Sequence, residues 1–378
     1  MSLAPRRTAL FEQHGAAGGR LVDFAGWEMP QQYSSVKAEQ RAVREGAGLF
    51  DVSHMGRFEV AGEGAASFLQ TVVTNDVSRL EPNRSQYNLL CQEDGGILDD
   101  LVVYRTQRRW LVVVNASNRE QDANWLKERA PAAVHLVDRS EELALLALQG
   151  PLAQEKLPAE GVDLDAIPYF GSAEGMVAGI RMLISRTGYT GEDGFELFAP
   201  AESVAEVWNA LLERGAQPCG LACRDVCRLE AGLRLYGNDM DRTVNPYEAG
   251  LGWTVKLEKG EFIGRSALAA VKTRGPKRRT VGLRAGPRTI PRHGAQLTRA
   301  QEPIGEVTSG THSFWLDAGI GLGLVRPDCA QPGSRLNFQS RGAEASAEVT
   351  PLPFYRGSAG KPPRNRAAET VTSDSTSK

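Results

Sequence analysis

Gly95-Gly96-Ile97-Leu98-Asp99-Asp100-Leu101-Val102-Val103-Tyr104 reads as a glycine turn opening into a strand that is apolar on both faces. Two carboxylates stand at the head of that strand. A charged carboxylate taken out of water is costly unless something compensates it. Val or Thr would serve a purely structural strand better. Alternation leaves open which acid points inward: Leu101 and Val103 share a face with Asp99, and Val102 and Tyr104 share the other with Asp100. Taken alone, the pair reads most simply as solvated turn acids. The segments around it change that reading.

Outward from this stretch, residues 86–91, 97–105 and 109–115 form three strands in succession, an antiparallel meander with the two acids entering its middle strand. Ser117-Asn118-Arg119-Glu120 has the form of a capping box, opening a helix to about residue 129. Upstream, residues 22–30 make an aromatic-rich loop closed by Pro30. Ser34 and Ser35 can cap a helix over 36–45 with Gly46 and Gly48 as stops. A short strand around residues 49–52 leads to His54, which has no second ligand at metal spacing and reads as a structural, hydrogen-bonding histidine. Residues 64–73 read as a helix.

Downstream, a buried strand covers 143–148, and Pro151 suits a helix first turn. Strands at 181–185 and 195–198 flank Arg186-Thr187-Gly188-Tyr189-Thr190-Gly191-Glu192-Asp193-Gly194. A phosphate loop would need a helix to follow it. Here a strand follows and the loop carries two acids, which argues against phosphate. Glu196 sits inside that strand between Phe195 and Leu197, an unfavourable place for an unpaired acid. A helix covers 202–214. Cys219, Cys223 and Cys227 recur every fourth residue. The radical-enzyme cluster spacing needs the last pair one residue closer, where Val226 stands, so these thiols read as one packed helical stripe. Arg224, Asp225 and Arg228 are interleaved with them and can pair with a buried acid such as Glu196.

Pro276-Lys277-Arg278-Arg279, preceded by Lys272 and Arg274, is a basic hinge. It divides the chain into a region at 1–275 and a second at 276–358, where short strands with glycine and proline turns suggest a small β-barrel or sandwich. Residues 359–378 are Ser, Thr, Pro and charge, the composition of a disordered tail. The whole chain has 378 residues, 41% hydrophobic and 24% charged, with a net charge of −2. That balance offers no electrostatic footprint for nucleic acid. The 5 cysteines, an odd number, do not suggest a disulfide framework. No apolar run could span a bilayer and no secretory leader is visible, so a cytoplasmic protein is expected.

Six segments taken together resemble one family, the aminomethyltransferase or T-protein of the glycine cleavage system. They are residues 23–30 (Asp-Phe-Ala-Gly-Trp-Glu-Met-Pro), 50–56 (Phe-Asp-Val-Ser-His-Met-Gly), 95–100, 185–196, 224–232 (with Arg224-Asp225 and Arg228-Leu229-Glu230-Ala231-Gly232) and 354–357 (Phe-Tyr-Arg-Gly). The resemblance runs from Arg7 to about Ser358. It implies an α+β fold with two interleaved antiparallel-sheet α/β parts that bind folate, and a C-terminal β-barrel, around a central channel. It implies transfer of a one-carbon unit from the aminomethyl-lipoyl arm of an H-protein to tetrahydrofolate, a co-substrate, with no metal. It implies Asp100 as the catalytic acid, Glu196, Arg224 and Arg356 as folate-binding residues, and Tyr87, Tyr189 and Asn115 as lining of the same pocket. Asp99 then serves as a structural acid or as an aid to its neighbour's charge state. Phe314, where the family usually has proline, and Leu233, where some members have tyrosine, depart from the pattern. Two alternatives stay open at this point. A folate-binding relative in tRNA modification and iron–sulfur assembly carries a cysteine in a Lys-Gly-Cys segment, where Lys259-Gly260-Glu261 has none. A non-catalytic folate-binding scaffold would use Asp100 only as a polar anchor. The flavin-dependent relatives attach a dinucleotide fingerprint that this chain lacks.

Overall fold

The computed structural model describes residues 4–361. The expected tail at 359–378 therefore lies almost wholly outside the described residues. Two large sheets, a two-stranded hairpin and a barrel make up the architecture; the hairpin, Arg20–Phe24 paired with Trp27–Gln32, stands in place of the expected loop at residues 22–30. Five antiparallel strands form the first sheet in the order Arg84–Cys91, Ile97–Arg105, Trp110–Val114, Gly56–Gly62, Val134–Asp138. The expected meander is its first three strands. The second sheet runs Ala159–Glu160, Ser172–Val177, Ile180–Ser185, Gly194–Pro200, Leu143–Gln149, Gly48–Asp51, Gln217–Pro218. The chain lays down Gly48–Asp51, leaves to build the entire five-stranded sheet, and returns at Leu143. The two α/β parts are interleaved for that reason. One detail departs from the expected antiparallel sheets: Gln217–Pro218 pairs in parallel with Gly48–Leu49.

Period-2 alternation gives each sheet two useful faces. On the five-stranded sheet, Leu101 and Val103 pack with Phe58 and Val60 against Phe68, Leu69 and Leu126 of the helices Ala65–Val72 and Arg119–Arg129. On its other face, Tyr104, Leu111 and Val113 meet Phe50, Leu145, Ala147 and Phe198 of the seven-stranded sheet. Cys223 and Cys227, on the helix Leu221–Glu230, and Cys219 just ahead of its first residue close this inter-sheet core. The expected stripe is packed, but its first thiol stands outside the helix. Asp99 and Asp100 thus point to opposite sides of one strand, the first toward the helices and the second toward the space between the sheets. The glycines ahead of them are needed as glycines. Gly95 has φ +89°, and a Cβ on Gly96 would lie 2.0 Å from the Arg242 carbonyl.

The helix Val36–Glu45 is capped by Ser35, whose side chain accepts the Ala38 N–H. The expected capping box at Ser117–Glu120 does not form: the helix starts at Arg119, and Asn118 gives it no side-chain cap. The Asn118 amide is instead drawn to the buried Asp99 carboxylate. Pro151 precedes its helix rather than opening it, since the helical turn is Ala153–Lys156. Past the basic hinge, six strands close into a barrel in the order Arg279–Ala285, Ala318–Val325, Glu302–Ser313, Gln296–Arg299, Arg335–Ser340, Ala343–Thr350. Leu283, Leu297, Val307, Leu336 and Phe338 fill it. Within the hinge, Arg278 is tied to Glu248 at 3.1 Å.

A buried arginine locks these parts together. Arg44 donates to Glu192 of the glycine loop at 2.8 Å and to Glu230 at 2.5 Å, and its guanidinium lies 4.3 Å over the Tyr355 ring. Gln40 and Ser313 also donate to Glu230, so helix 36–45, helix 221–230 and the barrel share one acid. No helix among the described residues is long and apolar enough to cross a membrane.

Candidate active site

Antiparallel register brings the first cluster together. Leu89 faces Asp100 and Tyr87 faces Val102, so the Tyr87 ring reaches Asp100 diagonally. The Tyr87 hydroxyl donates to Asp100 Oδ2 at 3.0 Å. Asn115 follows the neighbouring strand, and its amide donates to Asp100 Oδ1 at 2.7 Å and to Asp99 Oδ1 at 2.8 Å. Asp99 is fully buried and also accepts the Asn115 backbone N–H at 3.2 Å and the Asn118 amide at 2.8 Å. Asp100 is half-buried. Burial, and after it the neighbouring Asp99 charge, pushes the Asp100 carboxyl up to about 7. This acid is therefore poised to gain or lose a proton near neutrality. Trp253, 58% exposed, stacks on Tyr87 with ring centroids 5.9 Å apart and forms an outer wall.

The second cluster surrounds Glu196. Tyr104, four residues along the strand from Asp100 and on the same face, donates its hydroxyl to Glu196 Oε2 at 3.1 Å. The Thr187 hydroxyl donates to the same oxygen at 2.5 Å. Oε1 has no protein partner among the described residues. Arg224 lies with its guanidinium 4.6 Å over the Tyr189 ring and faces Glu196 without pairing to it. The Tyr189 hydroxyl is engaged by the Arg234 carbonyl. An acid with one open oxygen, an arginine with an open fork and two aromatic faces thus line one side of the strand that carries Asp100. Such a set can hold a planar, donor-rich heterocycle and a carboxylate.

Two expectations need correcting. Arg228 and Asp225 do not pair with Glu196. Arg228 is buried against Asp239 at 2.7 Å and Asp225 at 2.8 Å, because its side chain leaves the helix toward the barrel, where it also donates to Ser309. The Tyr104 and Thr187 hydroxyls engage Glu196 Oε2 instead. His54 makes no protein hydrogen bond among the described residues: it is 4% exposed, its Nδ1 is buried without a partner, and it packs edge-on against Phe24. Burial pushes its pKa down to about 3, which keeps the ring neutral.

Arg356 is exposed and makes no ion pair among the described residues. Its neighbours anchor the segment: the Tyr355 N–H donates to the Glu230 carbonyl, and Ser358 donates to Glu192 at 2.7 Å. The glycine loop holds its own acids, Glu192 on Arg44 and Asp193 on Arg186 at 2.6 Å. Both acids are thereby committed to arginines, and a strand, Gly194–Pro200, follows the loop where a phosphate loop would have a helix. Sequence reasoning assigned no role to Tyr104, Thr187 or Trp253. Only the Tyr104 hydroxyl, at a position otherwise read as strand filler, carried a signal.

The fold also gathers Glu39, Cys219 and Cys223 into a buried group. The Glu39 oxygens there accept the backbone N–H groups of Tyr33, Ser34 and Gly220. Two hollows lie elsewhere, one of about 170 Å³ beside Tyr33 and Glu39 and one of about 430 Å³ on the barrel near Arg278 and Glu306. Neither is lined by Asp100 or Glu196. The candidate site is identified by its convergent polar groups, not by cavity size.

A folate-type transferase is the class of protein that this fold and these groups describe. Residues 10–259 match the GCVT N-terminal domain, and residues 278–356 match the glycine cleavage T-protein C-terminal barrel domain. An aminomethyltransferase from Geobacillus kaustophilus is 48% identical over 359 residues, 93% of this chain and 99% of the relative. One from Halothermothrix orenii is 47% identical over 355 residues, 92% and 99% of the two chains. The crystal structure of glycine cleavage system aminomethyltransferase T from Bartonella henselae superposes with a TM-score of 0.87 at 34% identity, covering 94% of this chain and 99% of that one. The chain belongs to the glycine cleavage T-protein family.

Proposed function

We propose that this chain is the aminomethyltransferase of a glycine cleavage system. It moves the one-carbon unit from the S-aminomethyl-dihydrolipoyl arm of an H-protein to tetrahydrofolate. The carbon–sulfur bond and the carbon–nitrogen bond to the departing ammonia break. Bonds from that carbon to folate N5 and N10 form, giving 5,10-methylenetetrahydrofolate. The two protons lost from N5 and N10 end on the lipoyl sulfur and on ammonia, so atoms and charge balance.

Asp100 is the proposed catalytic group. Positive iminium character develops on the migrating carbon, and a fixed, partly desolvated carboxylate stabilises it and relays one proton. Tyr87 and Asn115 hold that carboxylate in place. Glu196 Oε1 takes the N–H edge of the pterin, while Arg224 and Arg356 take carboxylates of the glutamyl tail. Tyr189 gives the pocket an aromatic face. The observation that carries this reading is the junction between the clusters: one strand bears Asp100 and, through Tyr104, grips Glu196. The reading also divides the chain into folate-binding and barrel regions near residue 276.

The test is tetrahydrofolate-dependent ammonia release from aminomethyl-loaded, lipoylated H-protein. Turnover with both substrates is expected. A purified chain that binds tetrahydrofolate yet releases no ammonia would be a scaffold, and the assignment would fail.

A further inference from the structure

We propose that Asp122 is a positioning residue for the transfer: it holds a proton that it donates to the Asp99 carboxylate, and so keeps the negative charge on Asp99, next to Asp100. Asp122 lies on the helix Arg119–Arg129, which packs under the strand carrying the two acids. It is 1% exposed, and neither of its side-chain oxygens has a hydrogen-bond partner as a carboxylate. A buried carboxylate with no donor is one of the costliest groups a core can hold. As a neutral acid, in contrast, it has one natural acceptor, the Asp99 carboxylate within hydrogen-bonding range.

The acceptor side has room for that proton. A carboxylate offers about four lone-pair sites. Three on Asp99 are taken by the Asn115 N–H, the Asn115 amide and the Asn118 amide. The fourth is left for Asp122. Asn115 and Asn118 together give Asp99 three N–H donors that favour its ionised form against the burial that raises it, while Gln121 alone favours ionised Asp122. Burial, then the Asp99 charge, pushes Asp122 up to about 10. The other charged or titratable groups around the pair are Asp100 on the strand, and Tyr236, Asp241 and Arg242 on the segment packed against it. Arg242 is engaged by Gln121 at 2.6 Å and does not pair with Asp122.

The consequence falls on Asp100. An anionic Asp99 raises its neighbour; a protonated Asp99 would let Asp100 titrate at a lower pH. Asp122 thus acts through Asp99, without touching substrate. This inference rests on the reading of Asp100 as the transfer carboxylate.

Infrared spectroscopy of the full-length chain tests it at a pH above the Asp100 transition. The wild type is expected to show the carbonyl stretch of a protonated carboxylic acid. Asp122→Asn should lose that band, and Asp100→Asn should keep it. In the pH–rate profile, Asp122→Asn still donates to Asp99 through N–H and should keep the wild-type midpoint. Asp122→Leu removes the donor and should lower the midpoint by about one unit or more. A band that survives Asp122→Asn overturns the proposal, as does a wild-type midpoint in folded Asp122→Leu. If Asp122→Leu does not fold, the infrared comparison decides alone. Normal turnover by Asp100→Asn would sink the catalytic reading while leaving the band unaffected, so the two failures are distinguishable.

Discussion

The Tyr104 hydroxyl donates to Glu196 Oε2 at 3.1 Å, and that one bond joins the five-stranded sheet to the seven-stranded sheet at the candidate site. Ninety-two residues separate the partners. The strand that supplies Tyr104 also supplies Asp100, so the distance between the proposed chemical and binding acids is set by backbone geometry and not by a loop.

Tyr104→Phe should therefore weaken tetrahydrofolate binding more than it slows turnover. A hydrogen bond to a charged group contributes about 1.5–3 kcal/mol, so a loss of roughly ten- to hundred-fold in affinity is expected by calorimetry. Glu196→Ala should lose at least as much. An affinity unchanged in both variants would remove Glu196 from the binding site.

Asp100→Asn should keep tetrahydrofolate affinity within a small factor and lower kcat with loaded H-protein by about 10²–10⁴-fold. Wild-type turnover in this variant would exclude Asp100 as the catalytic group.

The same acid predicts a pH dependence. If Asp100 acts as a carboxylate, kcat/KM should rise as pH increases through about 7, where it loses its proton. Stability should move the other way. The folded carboxyl lies above its unfolded value, so between about 4 and 7 the folded state binds more protons, and stability from this group falls as pH rises across that window. Urea melts should accordingly show Asp100→Asn more stable than wild type above pH 7 and no more stable below about pH 4.

Arg44→Met should leave Glu192 and Glu230 buried without their cation. Breaking a buried pair by removing one partner costs about 3–5 kcal/mol. Chemical denaturation should show that loss. Arg44→Lys should recover only part of it, because a lysine cannot span both acids and cover the Tyr355 ring.

Much of this molecule was legible along the chain. The meander around Asp100, the helix over Val36–Glu45 and the barrel strands follow from short-range patterns of apolar residues, caps and turns, and such patterns are local physics. The six motif segments named the family, whose chemistry then gave Asp100 and Glu196 their expected roles. Alternation could not say which acid faced inward, because Leu101 and Val102 are both apolar. Only the packing of helices on one face and a second sheet on the other decided it. Likewise, Asn118 sits where a cap belongs, yet a buried carboxylate is the stronger claimant for its amide once the helix docks. Arg228 pairs with Asp239, eleven residues on, and Glu196 takes one hydroxyl from Thr187 in the loop before it and one from Tyr104, ninety-two residues away. The residues themselves determined which groups were available and where the strands and helices run. Which groups meet was decided by the stacking of the two sheets, because a buried charge goes to the nearest donor in space, and spacing along the chain does not encode that distance.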